Sequence, residues 1–154
     1  MFQNPEYQII FPTVGEELIF GLLQLSIDQK VAEQKARLLL NEYKHSDWFE
    51  KPVNQLSNGE RHLVCILAVV IMDPKVIVFD ESLSSLDFPT RRKLLKTIKK
   101  LDQQIIMISH DFESFKDFNQ VIWLESGRIR MKGEPSEVIR AYKEDSILKE
   151  NAST

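Results

Sequence analysis

Two adjacent carboxylates, Asp80 and Glu81, close the apolar run Val76-Ile77-Val78-Phe79. At the end of a buried strand the first can hold a magnesium ion, leaving the second free to act on water. The same pair also suits an ordinary turn, because acidic residues commonly begin turns after strands. A second candidate is Ser57-Asn58-Gly59-Glu60. Ser57 can cap a helix and Glu60 can complete a reciprocal capping box. With Gly59 in the first turn, backbone N–H groups and the positive end of the helix dipole stay open to a phosphate. Capping alone accounts for the pattern, so both roles stand side by side. His110 follows a second apolar run, Ile105 to Ile108. An imidazole there can hydrogen-bond a phosphate or a water, or be a satisfied structural residue.

Strands and helices must alternate to place these groups. Thr13 to Leu25 predicts a helix capped by Thr13 with Glu16 answering it. Asp28 to Tyr43 carries Ala32, Ala36, Leu39, Leu40 and Tyr43 at helical spacing, which gives one buried stripe. An apolar helix from Ser57 to Met72 precedes the Val76 to Phe79 strand, and another helix runs from about Pro89 to Leu101. The continuous run Ile105 to Ile108 predicts a parallel strand covered on both faces. Gln120 to Leu124 and Arg128 to Lys132 flank Ser126-Gly127 as a hairpin, with a last helix near Ser136 to Lys143. The pattern is α/β with a mainly parallel sheet in one compact unit, and ligands in such sheets bind beyond the carboxyl ends of strands.

The 154 residues are 43% hydrophobic and 28% charged, which suits a folded domain with a core. A net charge of -3 gives no bulk attraction for nucleic acid or an anionic membrane, so no nucleic-acid partner is expected and any phosphate binding is local. One cysteine, Cys65, allows no intramolecular disulfide and fits a reducing compartment and a core position. The longest apolar run, Leu63 to Met72, is too short to span a bilayer, and the N-terminal residues lack signal-peptide character. Arg91, Arg92, Lys93, Lys96, Lys99 and Lys100 lie opposite Leu94, Leu95, Ile98 and Leu101, as a solvated helix face does. Trp48 and Phe49 either pack under the Ser57 helix or touch a partner.

Taken in order, these segments resemble an ATP-binding cassette (ABC) ATPase. Gln3 in FQNPE resembles the Q-loop, LSNGE at Leu56 to Glu60 the signature motif, and VIVFDE at Val76 to Glu81 the Walker B strand. SSLD at Ser84 to Asp87 resembles the D-loop, and SHD at Ser109 to Asp111 the switch histidine. FQNPEYQIIFPTVGEELIFG and MDPKVIVFDE are most similar to the ATPases of energy-coupling-factor importers for cobalt, nickel or biotin. The resemblance implies a P-loop-type core with an added all-helical subdomain. It divides the chain into a Q-loop segment 1–8, a helical subdomain 9–56, a signature helix 57–72, a Walker B to switch-histidine core 73–133, and a C-terminal helix and tail 134–154.

What it implies for function is an ATP-hydrolysing importer subunit that uses ATP and Mg2+ and works on the inner face of the cell membrane. Its partners would be a second ABC ATPase subunit and an integral membrane subunit. Asp80 would hold magnesium, Glu81 would polarise the attacking water, and His110 would contact the γ-phosphate. Gln3 would sense the metal and the lytic water. Ser57, Asn58, Gly59 and Glu60 would serve the nucleotide of the opposite subunit, and Asp87 would act across the dimer interface. The pattern departs in one large respect: no G-x-x-x-x-G-K-S/T loop occurs in these residues, and in the family that loop lies upstream of the Q-loop. The expectation is therefore an N-terminally incomplete cassette, inactive alone, or else a non-catalytic half-cassette that lends its signature helix to a complete partner. Smaller departures are Asn58 for Gly, Glu60 for Gln, Leu63 for Arg, and Ser82-Leu83 for Pro-Thr.

Overall fold

The structure, a computed structural model, describes residues 7–152. They fall into two compact units, one ending at Ile108 and one beginning at Ser109, where the sequence reads as a single unit.

The first unit opens with helix α1 (Val14–Gln24), where Thr13 and Glu16 form the reciprocal capping box that their spacing predicts. Helix α2 (Gln29–Glu42) is capped by Asp28 and buries Ala32, Ala36 and Leu40. After two 3-10 turns comes helix α3 (Asn58–Val70), again with both halves of a capping box, between Ser57 and Glu60. Strand β1 (Val76–Asp80), helix α4 (Phe88–Ile98) and strand β2 (Gln104–Ile108) complete the unit. The two strands pair in parallel, with Asp80 opposite Ile108.

One core runs through this unit. Val14, Leu18 and Leu22 of α1, Leu40 of α2, and Val64, Ile66 and Leu67 of α3 meet Ile77 and Phe79 of β1 and Leu94 and Ile98 of α4. Trp48 and Phe49 belong to the same core, with Phe49 against Gly15 of α1 and Arg37 of α2. Close approach is bought with glycine at one helix contact: a Cβ on Gly15 would lie 2.7 Å from the carbonyl oxygen of Phe49, which accepts the N–H of Gly15 at 2.8 Å.

The β1–β2 sheet is not covered on both faces among the described residues: Ile77 and Phe79 are buried, but Val76, Val78, Ile106 and Ile108 are 42–51% exposed. The continuous apolar run reports a strand that can be buried twice, and the described helices cover one side only.

In the second unit, strands β3 (Val121–Glu125) and β4 (Arg128–Gly133) form the expected antiparallel hairpin. Ser126 and Gly127 both have positive φ, at 48° and 75°, which is the turn whose twist matches a two-residue hairpin loop. Helix α5 (Pro135–Ala152) packs on it through Tyr142, which meets Trp123 edge-on at 5.2 Å, and runs well beyond the predicted end at Lys143.

Candidate functional site

Asp80 ends β1 with an exposed side chain, and Glu81 follows it in left-handed backbone at φ 49°. Such a conformation costs a residue with a Cβ on the order of 1 kcal/mol and persists only where neighbours enforce it. They do so here: the Glu81 N–H donates to the carbonyl of Ile108 at 3.0 Å, and the Ser84 hydroxyl donates to the Glu81 carbonyl at 2.7 Å. Buried Ser82 and Leu83 fix the following turn. Backbone and core contacts therefore hold the strand end.

The signature segment lies at the N-terminus of α3, with Ser57 and Asn58 exposed. The Ser57 N–H donates to Glu60 Oε2 at 2.7 Å, and the Glu60 N–H donates to Ser57 Oγ at 3.3 Å. Gly59 has a steric reason: a Cβ there would sit 2.4 Å from Cγ2 of Thr90. Thr90 is itself fixed by Asp87, which caps α4 by accepting the Thr90 N–H at 2.8 Å and its hydroxyl at 3.1 Å. The structure thus brings the signature turn against the turn that carries Asp87, two segments far apart in sequence. Leu63, one turn on from Gly59, is 7% exposed in the core, which explains an apolar residue where a basic one is usual in the resemblance.

These contacts set local charge. The Ser57 backbone N–H, followed by its hydroxyl, holds the Glu60 carboxyl below the usual range, and the Thr90 N–H and hydroxyl do the same for Asp87. A carboxyl with a depressed folded pKa contributes stability that is present above its unfolded pKa and lost as pH falls through the folded one. Acid below the ordinary Glu range is therefore expected to loosen the signature turn. In Glu60→Gln, which keeps an acceptor but does not titrate, the loss of thermal stability between neutral pH and the acid end should be smaller than in the parent. An equal loss in both would remove Glu60 from the acid response.

In the second unit, His110 is exposed and lies between two anchors. Ser109 Oγ accepts the Asp111 N–H at 3.1 Å, while Asp111 accepts the Glu113 N–H at 3.2 Å and the Ser114 hydroxyl at 2.8 Å. Gln3 lies outside the described residues. Burial pushes the Cys65 thiol up to about 12, so it is a core residue without thiolate chemistry. On α4, Arg92, Lys93 and Lys96 are exposed opposite buried Leu94 and Ile98, as expected of a solvated face.

Two features were not read from the sequence. A cleft of about 370 Å3 is lined by Ile9, Phe11 and Pro12 on the entering segment and by Pro52, Val53, Asn54 and Arg61. The Val53 N–H donates to the Pro12 carbonyl at 2.9 Å, tying these two stretches together. Glu17 is an acid only 8% exposed, whose Oε2 accepts the N–H groups of Ile10 and Phe11. Its place three residues after Val14, on the apolar side of α1, was the available signal.

No group of three or more His, Cys, Asp or Glu among the described residues could hold a metal on its own. Mg2+ does not need one: it keeps several waters and binds one or two carboxylates together with substrate phosphates. The exposed Asp80 carboxylate fits that mode. No helix of the described residues is long and apolar enough to cross a membrane.

A parallel strand thus ends in two acids, and the reciprocally capped turn at Ser57 packs beside the turn that Asp87 caps. The chain belongs to the ABC transporter family, whose profile matches residues 2–84. It is 37% identical over 142 residues to the biotin transport ATP-binding protein BioM of Rhodobacter capsulatus, covering 92% of this chain and 61% of that protein. It is 33% identical over 153 residues to the energy-coupling factor transporter ATP-binding protein EcfA1 of Caldanaerobacter subterraneus, covering 97% of this chain and 54% of the relative. The structure of cbiO1 from Clostridium perfringens, part of the ABC transporter complex cbiONQ, superposes with a TM-score of 0.78 at 25% identity, covering 97% of this chain and 60% of that one. The chain thus spans 54–61% of the length of these proteins.

Proposed function

We propose that the chain is part of the ATP-hydrolysing subunit of an energy-coupling-factor type importer for a vitamin or a metal ion. The observation that carries this reading is the end of β1, where Glu81 is forced into left-handed backbone next to an exposed Asp80 while β2 and Ser84 hold the turn. Preorganised groups of this kind cost stability and are placed for chemistry rather than for packing.

In this reading Asp80 holds Mg2+, which neutralises phosphate charge when bound with ATP. Glu81 orients and polarises the water that attacks the γ-phosphate, and His110 contacts that phosphate. Gln3 senses the metal and the water. Ser57, Asn58 and Gly59 offer a hydroxyl and helix N-terminal N–H groups to ATP held by an opposite cassette, with Glu60 bracing the turn. Asp87, packed beside Gly59 through Thr90, acts across the same interface. The phosphates need a glycine-rich loop and lysine, which none of these residues supply. The working assembly has a second ABC subunit and a membrane subunit, and sits on the inner face of the membrane.

The cleft beside Phe11 and Val53 is where a helix of the membrane subunit docks, since it borders the segment that follows Gln3. Tyr7, two residues before the lining residue Ile9 in sequence, is 82% exposed. Tyr7→Cys is expected to crosslink to a cysteine on the cytoplasmic loops of the membrane subunit. No crosslink from Tyr7 or from Asn54→Cys would count against a transporter role.

A further inference from the structure

Glu17 is explained neither by helix capping nor by the nucleotide groups. It is 8% exposed, on the face of α1 that also buries Val14, Leu18 and Leu22. A leucine there would join the apolar stripe without the desolvation that a carboxylate suffers, so packing alone does not call for an acid. The carboxylate is instead committed to two consecutive backbone donors: Oε2 accepts the Ile10 N–H at 2.9 Å and the Phe11 N–H at 3.0 Å. Bonds from N–H groups to an ionised acceptor are stronger than neutral ones and fix their partners more tightly.

The stretch so held forms one wall of the cleft: Phe11 lines it, and Ile10 lies between the lining residues Ile9 and Phe11. Glu17 lies on α1, which shares the core with the signature helix. Its negative charge adds to burial in raising the thiol of Cys65 on α3. Behind it α1 packs closely on the end of that helix: a Cβ on Gly21 would fall 2.3 Å from the sulfur of Met72. One buried side chain therefore links the entering segment to the helix pair that presents Ser57.

We infer that Glu17 is a positioning residue that fixes the Ile9 to Pro12 wall of the cleft in register with α1 and α3, so that a docked helix of the membrane subunit meets a wall set by the signature helix. This rests on the reading of the cleft as a docking surface. Its role is mechanical, and Glu17 touches no nucleotide.

The test places Glu17→Leu and Glu17→Gln in the assembled transporter that carries Tyr7→Cys. Crosslink yield to the membrane subunit, amide exchange at Ile10 and Phe11, and the thermal midpoint are followed together. Glu17→Leu is expected to speed exchange at the two amides by at least about tenfold, as their local hold is lost. Crosslinking should fall several-fold while the midpoint stays level or rises. Glu17→Gln, which keeps an acceptor oxygen, should fall between Leu and the parent. Full crosslinking despite fast amide exchange would overturn the inference, as would unchanged exchange. A midpoint falling in step with crosslinking in both variants would reduce Glu17 to a structural role and overturn it as well. If the parent itself does not crosslink, the docking reading fails and takes the inference with it, whereas amide exchange still reports whether Glu17 holds the wall.

Discussion

Glu81→Gln, in a complex that supplies the phosphate-binding loop, is expected to stop ATP turnover while nucleotide stays bound. The amide matches the carboxylate in size. The N–H of Glu81 bonds to Ile108 and its carbonyl to Ser84 whatever the side chain is. What would disappear, under the proposed role, is the group that polarises water, a contribution of roughly 10²–10⁴ in rate for a general base. Single-turnover hydrolysis together with retention of labelled nucleotide separates these effects. Hydrolysis at the parent rate, at the site this residue completes, would take Glu81 out of the mechanism.

Ser57→Asp should be nearly as severe, by a different route. Aspartate caps a helix as well as serine does, so α3 should keep its start and the chain its thermal midpoint. The new carboxylate would, however, face the γ-phosphate of the opposite nucleotide at a place where N–H groups and a hydroxyl now point. Like charges at contact distance in a water-poor interface cost several kcal/mol, enough to abolish ATP-driven association with a partner cassette. Size-exclusion chromatography with and without Mg-ATP measures it. Normal association by a well-folded Ser57→Asp chain would leave Ser57 as a helix cap and nothing more.

The parts of this site that were legible in the sequence are those governed by local spacing. Thr13 with Glu16 and Ser57 with Glu60 announce their helices because a capping box is a short-range pattern, and both boxes form. The apolar runs before Asp80 and Ser109 announce β1 and β2, and the pair Ser126-Gly127 announces the hairpin turn. The rest depends on contacts between segments distant in sequence. The left-handed backbone of Glu81 is imposed by β2, and Gly59 is required by Thr90 of another helix. Glu17 is buried because the entering segment folds over it to offer two N–H groups. Which side of β1 and β2 is covered also depends on distant contacts: an apolar run records that a strand can be covered, and only the packing shows on which side it is.

The central claim is that these residues supply the magnesium ligand, the water-polarising group and a signature turn, while the cradle for the phosphates lies in other polypeptide. Calorimetric titration with Mg-ATP tests it most directly, run on a polypeptide of these 154 residues and on the same polypeptide extended by a segment bearing a glycine-rich loop and lysine. The account predicts very weak binding and no hydrolysis by the first, because Asp80 and Glu81 repel the phosphates and no backbone amide cradle offsets them. The extended chain should bind. Micromolar binding of Mg-ATP by the 154 residues alone would contradict the account, since it would require a phosphate cradle within them.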